Sequence, residues 1–124
     1  MDQLYIADLI RGDFQAVTSF KSRGGDILEV STPFAMANRD VVAVSVQQKG
    51  GSFVCSIELD MGRLSPRQKR RREELKRRNG IWNIGNLYYK TVYSPQVIGS
   101  AIVDLAEFAV ASSWLFGVKP GDEA

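Results

Sequence analysis

The sequence predicts one α+β domain: an antiparallel sheet of about four to six strands with an N-terminal helix, a basic mid-chain helix and a C-terminal helix packed on the sheet. Three observations carry this. Two Gly-Gly pairs are each flanked by β-prone runs, which is the pattern of hairpins. Two Ser-Pro pairs each give the start signal of a helix, a serine N-cap followed by proline at the first helical position. The chain of 124 residues, 44% hydrophobic and 24% charged, has the size and composition of one globular domain. The domain is expected over residues 1–118, with 119–124 as a disordered tail.

Each element follows in order. Residues 2–10 carry Leu4, Ile6, Leu9 and Ile10 within about two helical turns, predicting a short amphipathic helix ended by Arg11-Gly12. Residues 14–22 are β-prone and close on Arg23-Gly24-Gly25, and 27–32 form the returning strand of a hairpin. Thr32-Pro33-Phe34 is expected to break that strand, because proline removes a ladder donor, and 35–39 to make a connection.

Residues 41–48 and 52–59 flank Gly50-Gly51. A two-residue turn there pairs residues whose numbers sum to 101. Val42, Val44 and Val46 then share one apolar face with Phe53, Cys55, Ile57 and Leu59, and the other face is polar.

After Gly62, Ser65 is the N-cap of a helix, Pro66 its first residue and Asn79-Gly80 its stop. Residues 81–84 and 87–93 form two further strands around Gly85-Asn86. Ser94-Pro95 then opens the longest helix, which ends near Phe116-Gly117. Its packing stripe is Ile98, Ala101, Ile102, Leu105, Phe108, Ala109, Ser112 and Leu115, with Asp104 and Glu107 off it.

Composition narrows the chemistry. The chain has no histidine, which excludes Ser-His-Asp triads, Cys-His dyads and His-containing zinc sites. The single Cys55 supports neither an internal disulfide nor a multi-cysteine metal cluster. No signal-peptide pattern and no uncharged run of membrane-spanning length stands in the sequence, so the expected address is cytoplasmic, with no membrane partner. The net charge of +2 is unevenly placed: residues 63–78 hold nine Lys/Arg against two Asp/Glu, a local +7, which leaves −5 for the rest.

The run from Ile27 to Phe34, ending Ser-Thr-Pro-Phe, followed by Asn38-Arg39-Asp40, a β run and the turn Asp60-Met61-Gly62, resembles a family of small uncharacterised domains of bacteria and phages. The resemblance extends over about residues 26–115. At the last turn the family more often has two successive acids after a threonine. What the resemblance implies is a compact α+β unit carried by mobile elements, with no activity to transfer.

The basic helix is the leading candidate site. Leu75 is the lone apolar residue in its interior, so most of its surface faces water or a partner. Arg63, Arg67, Lys69, Arg70, Arg71, Arg72, Lys76, Arg77 and Arg78 are the candidate binding residues, because a rigid row of cations gains affinity for phosphates by releasing counterions. Glu73 and Glu74 stand four residues before Arg77 and Arg78 and are expected to pair with them, while Lys69 and Arg70 precede the same two acids. The competing reading is a salt-bridged solubilising face, and a basic helix also suits an acidic protein surface.

Asp40, Glu58 and Asp60 are the one carboxylate cluster, expected on one face at the open end of the second hairpin. A metal-dependent nuclease needs a nearby lysine or other base, and Lys49 lies at the far end of the hairpin. Asp40 is therefore expected to cap the connection or to pair with Arg39 or Arg63. Trp82, Tyr88, Tyr89 and Tyr93 are candidates for base stacking, though Tyr88 and Tyr89 must point to opposite faces. Cys55 is expected to be a buried small hydrophobe.

The function expected is a non-catalytic binding module that engages nucleic acid or a nucleoprotein through the basic helix, with no catalytic residues, metal or cofactor. A phage-encoded inhibitor of a host defence protein, of the anti-CRISPR kind, is the alternative. A metal-dependent nuclease using Asp40, Glu58 and Asp60 is the weaker one. Self-association into a homodimer is left open.

Overall fold

A computed structural model of the chain describes residues 1–13, 19–22, 24 and 26–120. Helices α1 (Gln3–Asp13), α2 (Pro66–Asn79) and α3 (Ile98–Phe116) accompany strands β1 (Ser19–Ser22), β2 (Ile27–Ala35), β3 (Val41–Lys49), β4 (Ser52–Asp60), β5 (Trp82–Ile84), β6 (Leu87–Val92) and β7 (Lys119–Pro120). The α+β class is as the sequence predicts. Strands β1-β2-β3-β4-β6-β5 form one antiparallel sheet in that order, and β7 adds a short pairing to β4.

Helix α1 runs on past the Arg11-Gly12 stop. It starts where the Tyr5 amide donates to Asp2 Oδ1 at 3.1 Å, and it buries Ile6, Ala7 and Ile10 while Leu4 stays exposed. The first hairpin is present, its last pair being Ser22 and Leu28. The expected strand residues 14–18, and Arg23 and Gly25 of its turn, lie outside the described residues.

Strand β2 is not broken at Pro33. It continues to Ala35, and the register slips by two residues between the Ser31–Ala43 and Ala35–Val41 pairs, so the proline's missing N–H falls within the bulge. Thr32 fills the gap in bonding. Its buried hydroxyl donates to the Val42 carbonyl at 2.8 Å and accepts from the Phe34 amide at 3.3 Å.

The second hairpin has the expected register: Ser45 opposes Ser56, Val46 opposes Cys55 and Gln48 opposes Phe53. Gly50 takes φ 60°, the conformation that such a tight turn demands of its first central residue. The ladder with β3 covers Ser52 to Ser56 of β4, and β7 pairs with Leu59 and Asp60 further along. Residues 119 and 120 therefore belong to the fold, which corrects the expected tail, and 121–124 lie outside the described residues.

One sheet face, built from Leu28, Val30, Val44, Val46, Cys55, Ile57 and Tyr88, is buried against Ile98, Ile102, Leu105 and Phe108 of α3. Tyr88 and Phe108 meet with ring centroids 5.0 Å apart. Lys90 pairs with Asp104 of α3. Ser94 caps a short 3-10 turn, Pro95–Val97, that leads into α3. By length and composition this helical stretch could cross a membrane, but more than half of it is buried inside the fold. The other sheet face carries half-exposed Ser31, Ser45, Gln47, Val54, Ser56 and Tyr89.

Candidate nucleic-acid interface

Local devices hold α2 in place. Ser65 accepts from the Gln68 amide at 3.2 Å while Gln68 Oε1 accepts from the Ser65 amide at 2.9 Å, a reciprocal capping box, with Pro66 in the first turn. At the other end Gly80 adopts φ 65°, and the Gly80 and Ile81 amides donate to the Arg77 and Lys76 carbonyls. Leu75 is the helix's one buried side chain.

Which arginines face water follows from the helical turn. Taking 100° per residue, Arg67, Arg70, Arg71, Arg77 and Arg78 fall within an arc of about 120° that holds a single acid, Glu74. All five are exposed. Arg71 Nη1 contacts Glu74 Oε2 at 3.0 Å, whereas Arg67, Arg70, Arg77 and Arg78 form no ion pair among the described residues. Arg63 is exposed in the segment before the helix, and Lys69 is exposed on the side away from the arc.

Two expected site residues are turned inward instead. The side chains of Arg72 and Lys76 keep only 24% and 12% of their exposure and both reach Glu73, at 3.4 and 3.1 Å. Burial raises the pKa of the Tyr88 hydroxyl, and the Arg72 guanidinium beside it offsets part of that rise. Arg72 and Lys76 thus seat the helix on the domain. The acids' partners also differ from the expected four-residue spacing, because Glu73 is drawn to the inward cations and Glu74 to Arg71.

A second element completes the surface. Arg67, Gln68, Arg70, Arg71 and Glu74 line one wall of an open cleft of about 420 Å³, and Leu115 and Phe116, in the last turn of α3, form the other. Leu115 was expected on the packing stripe; it is 49% exposed, and the buried stripe ends at Ser112 and Ser113. Its signal in the sequence was an apolar residue continuing the stripe past the part of the helix that the sheet covers.

The carboxylates are not gathered. Asp40 sits in a tight turn, exchanging hydrogen bonds with Asn38 at 3.0 Å rather than pairing with Arg39 or Arg63, and Asp60 Oδ1 accepts from the Gly62 amide at 2.8 Å. Among the described residues no three His, Cys, Asp or Glu side chains converge. Cys55 is fully buried, and burial pushes its thiol up to about 12 despite the opposing charge of Lys90. Of the aromatic candidates, Tyr88 is core, while Trp82 and Tyr93 are exposed; Trp82 opposes the half-buried Tyr89 across β5 and β6.

No protein-family model matches this sequence, and neither a curated protein nor a solved structure shows significant similarity to it.

Proposed function

We propose that this domain is a non-catalytic binding module whose α2 helix docks on the phosphate backbone of nucleic acid. The observation that carries the reading is the sorting of charge on α2: five exposed arginines and one acid share an arc of about 120°, while Arg72, Lys76 and Glu73 are spent on seating the helix. Guanidinium groups suit phosphate oxygens through paired N–H donors, and a rigid helix spaces them without the entropy of ordering a loop. The test is binding of labelled duplex DNA, single-stranded DNA and RNA by the wild type and by an Arg67→Glu, Arg70→Glu, Arg78→Glu variant. Binding at low salt that disappears in the triple variant, with the far-UV spectrum intact, supports the reading; unchanged binding sinks it.

A second reading, a mobile-element inhibitor that acts by binding a host protein, is favoured by one separate feature. Trp82 and Ile84 on edge strand β5 are about 70% exposed beside Leu87, and exposed apolar clusters of this kind mark protein contacts. A nuclease-resistant complex lost on Trp82→Ala and kept in the arginine variant would shift the assignment to this reading.

A further inference from the structure

We propose that the cleft between α2 and the end of α3 seats one unstacked nucleotide of a single-stranded nucleic acid. The inference rests on the nucleic-acid reading above and narrows its substrate class.

The cleft joins two unlike walls. On one side Arg67, Arg70 and Arg71 face the space with Glu74, which engages only Arg71, so the wall carries a net +2 with Arg67 and Arg70 outside any ion pair among the described residues. On the other side stand Leu115, half-exposed, and Phe116, partly buried against the core. The opposite partial charges at the start of α2 and the end of α3 offset each other, which leaves the side chains to set the sign. A ligand complementary to both walls is an anion with a flat apolar part attached. A nucleotide is such a ligand: its phosphate meets Arg67 and Arg70, and its base lies on Leu115 and Phe116.

The volume of about 420 Å³ lies in the range of small-molecule sites. A base can enter only when it is free of its own helix, so the apolar wall rewards single strands, whereas the arginines alone reward any phosphate backbone. The arc then continues from Arg67 to Arg78 along α2, and the neighbouring phosphates of the same strand follow it.

The experiment compares a labelled ten-nucleotide uridine oligomer with a duplex of equal length, using wild type, Leu115→Ala and Leu115→Phe. Leu115→Ala should weaken single-strand binding roughly five- to tenfold and leave duplex binding and both salt slopes unchanged, since no charge is altered. Leu115→Phe, which enlarges the apolar wall, should restore or strengthen single-strand binding. Adenosine monophosphate should displace the oligomer at concentrations where inorganic phosphate does not. Equal losses on single strand and duplex, or no loss on the single strand with the wild-type salt slope intact, would overturn the cleft proposal and leave the arginine arc standing. Absence of any wild-type binding at low salt would overturn both.

Discussion

Glu74→Gln should tighten nucleic-acid binding. Glu74 is the one acid on the arginine arc, and its contact with Arg71 at 3.0 Å joins two side chains that are each about half exposed. Screening makes such a pair worth little to folding, of order 0.2–1 kcal/mol, so its removal should leave stability nearly unchanged. Its effect on binding is larger. With Glu74 present the five arginines act as a net four charges, which predicts a slope of log affinity against log salt of about −3.6 on duplex and about −2.8 on a single strand. Between 50 and 200 mM salt that slope corresponds to a loss of about 150-fold on duplex and about 50-fold on a single strand.

Removing the acid frees Arg71, so the slope should steepen by about 0.9 on duplex and about 0.7 on a single strand, with tighter binding at low salt. Lys69→Gln is the matched control, because Lys69 lies on the other side of the helix and its loss should leave the slope unchanged. Fluorescence anisotropy over a salt series reads both variants. A Glu74→Gln slope equal to that of the wild type, or a Lys69→Gln slope that falls by a full unit, would refute the assignment of this arc as the phosphate-contacting side.

Three further outcomes follow from the packing. Leu75→Ala removes the only side chain that α2 buries and should cost about 2–4 kcal/mol, read as a lower urea midpoint. Gly80→Ala forces a left-handed φ of 65° on a residue with a Cβ, which would lie 3.4 Å from Lys90 Cε, and a loss of about 1–2 kcal/mol is expected in the same assay. Cys55 holds its proton to about pH 12 in the folded state but releases it above the ordinary thiol value of 9.0 when unfolded, so the unfolded chain binds fewer protons between these limits. Stability should therefore fall with rising pH there by up to about 1.4 kcal/mol per unit, and Cys55→Ala should lack that component.

Much of the fold was legible because its signals are local. Gly50-Gly51 set the register of the second hairpin, and Ser65-Pro66 with Asn79-Gly80 set both ends of α2. What was not legible depends on distant partners. Pro33 reads as a strand breaker until Thr32 is seen bonding the Val42 carbonyl across the bulge. Lys119–Pro120 reads as tail until β4 extends past its ladder with β3 and offers a place to pair. Spacing gave the acids of α2 partners four residues on, but the approach of Arg72 to Tyr88 and the packing of α2 on α3 decide which cations turn inward, and Glu73 follows them. Leu115 continues the periodic stripe, and only the position of α2 shows that it borders a cleft.

The distribution of the two acids favours the proposed binding role of α2 over a merely solvating one. A helix shaped only for solvation gains most when opposite charges alternate around it, since each acid then relieves repulsion among its neighbours. On α2 the relief is uneven. Glu73 lies between Arg72 and Lys76, close to the domain, where unpaired cations would suffer most from lost hydration. The outward arc keeps five arginines against Glu74 alone, and their mutual repulsion is left to the solvent. Repulsion of this kind weakens the free protein slightly and vanishes when phosphates arrive, so it favours the bound state over the free one. The same uneven placement predicts that moving the acid, with Glu73→Gln and Arg70→Glu combined, should cut the net charge of the arc from four to two and so halve the salt slope in the same anisotropy series, from about −3.6 to about −1.8 on duplex, although the net charge of the protein falls by only one.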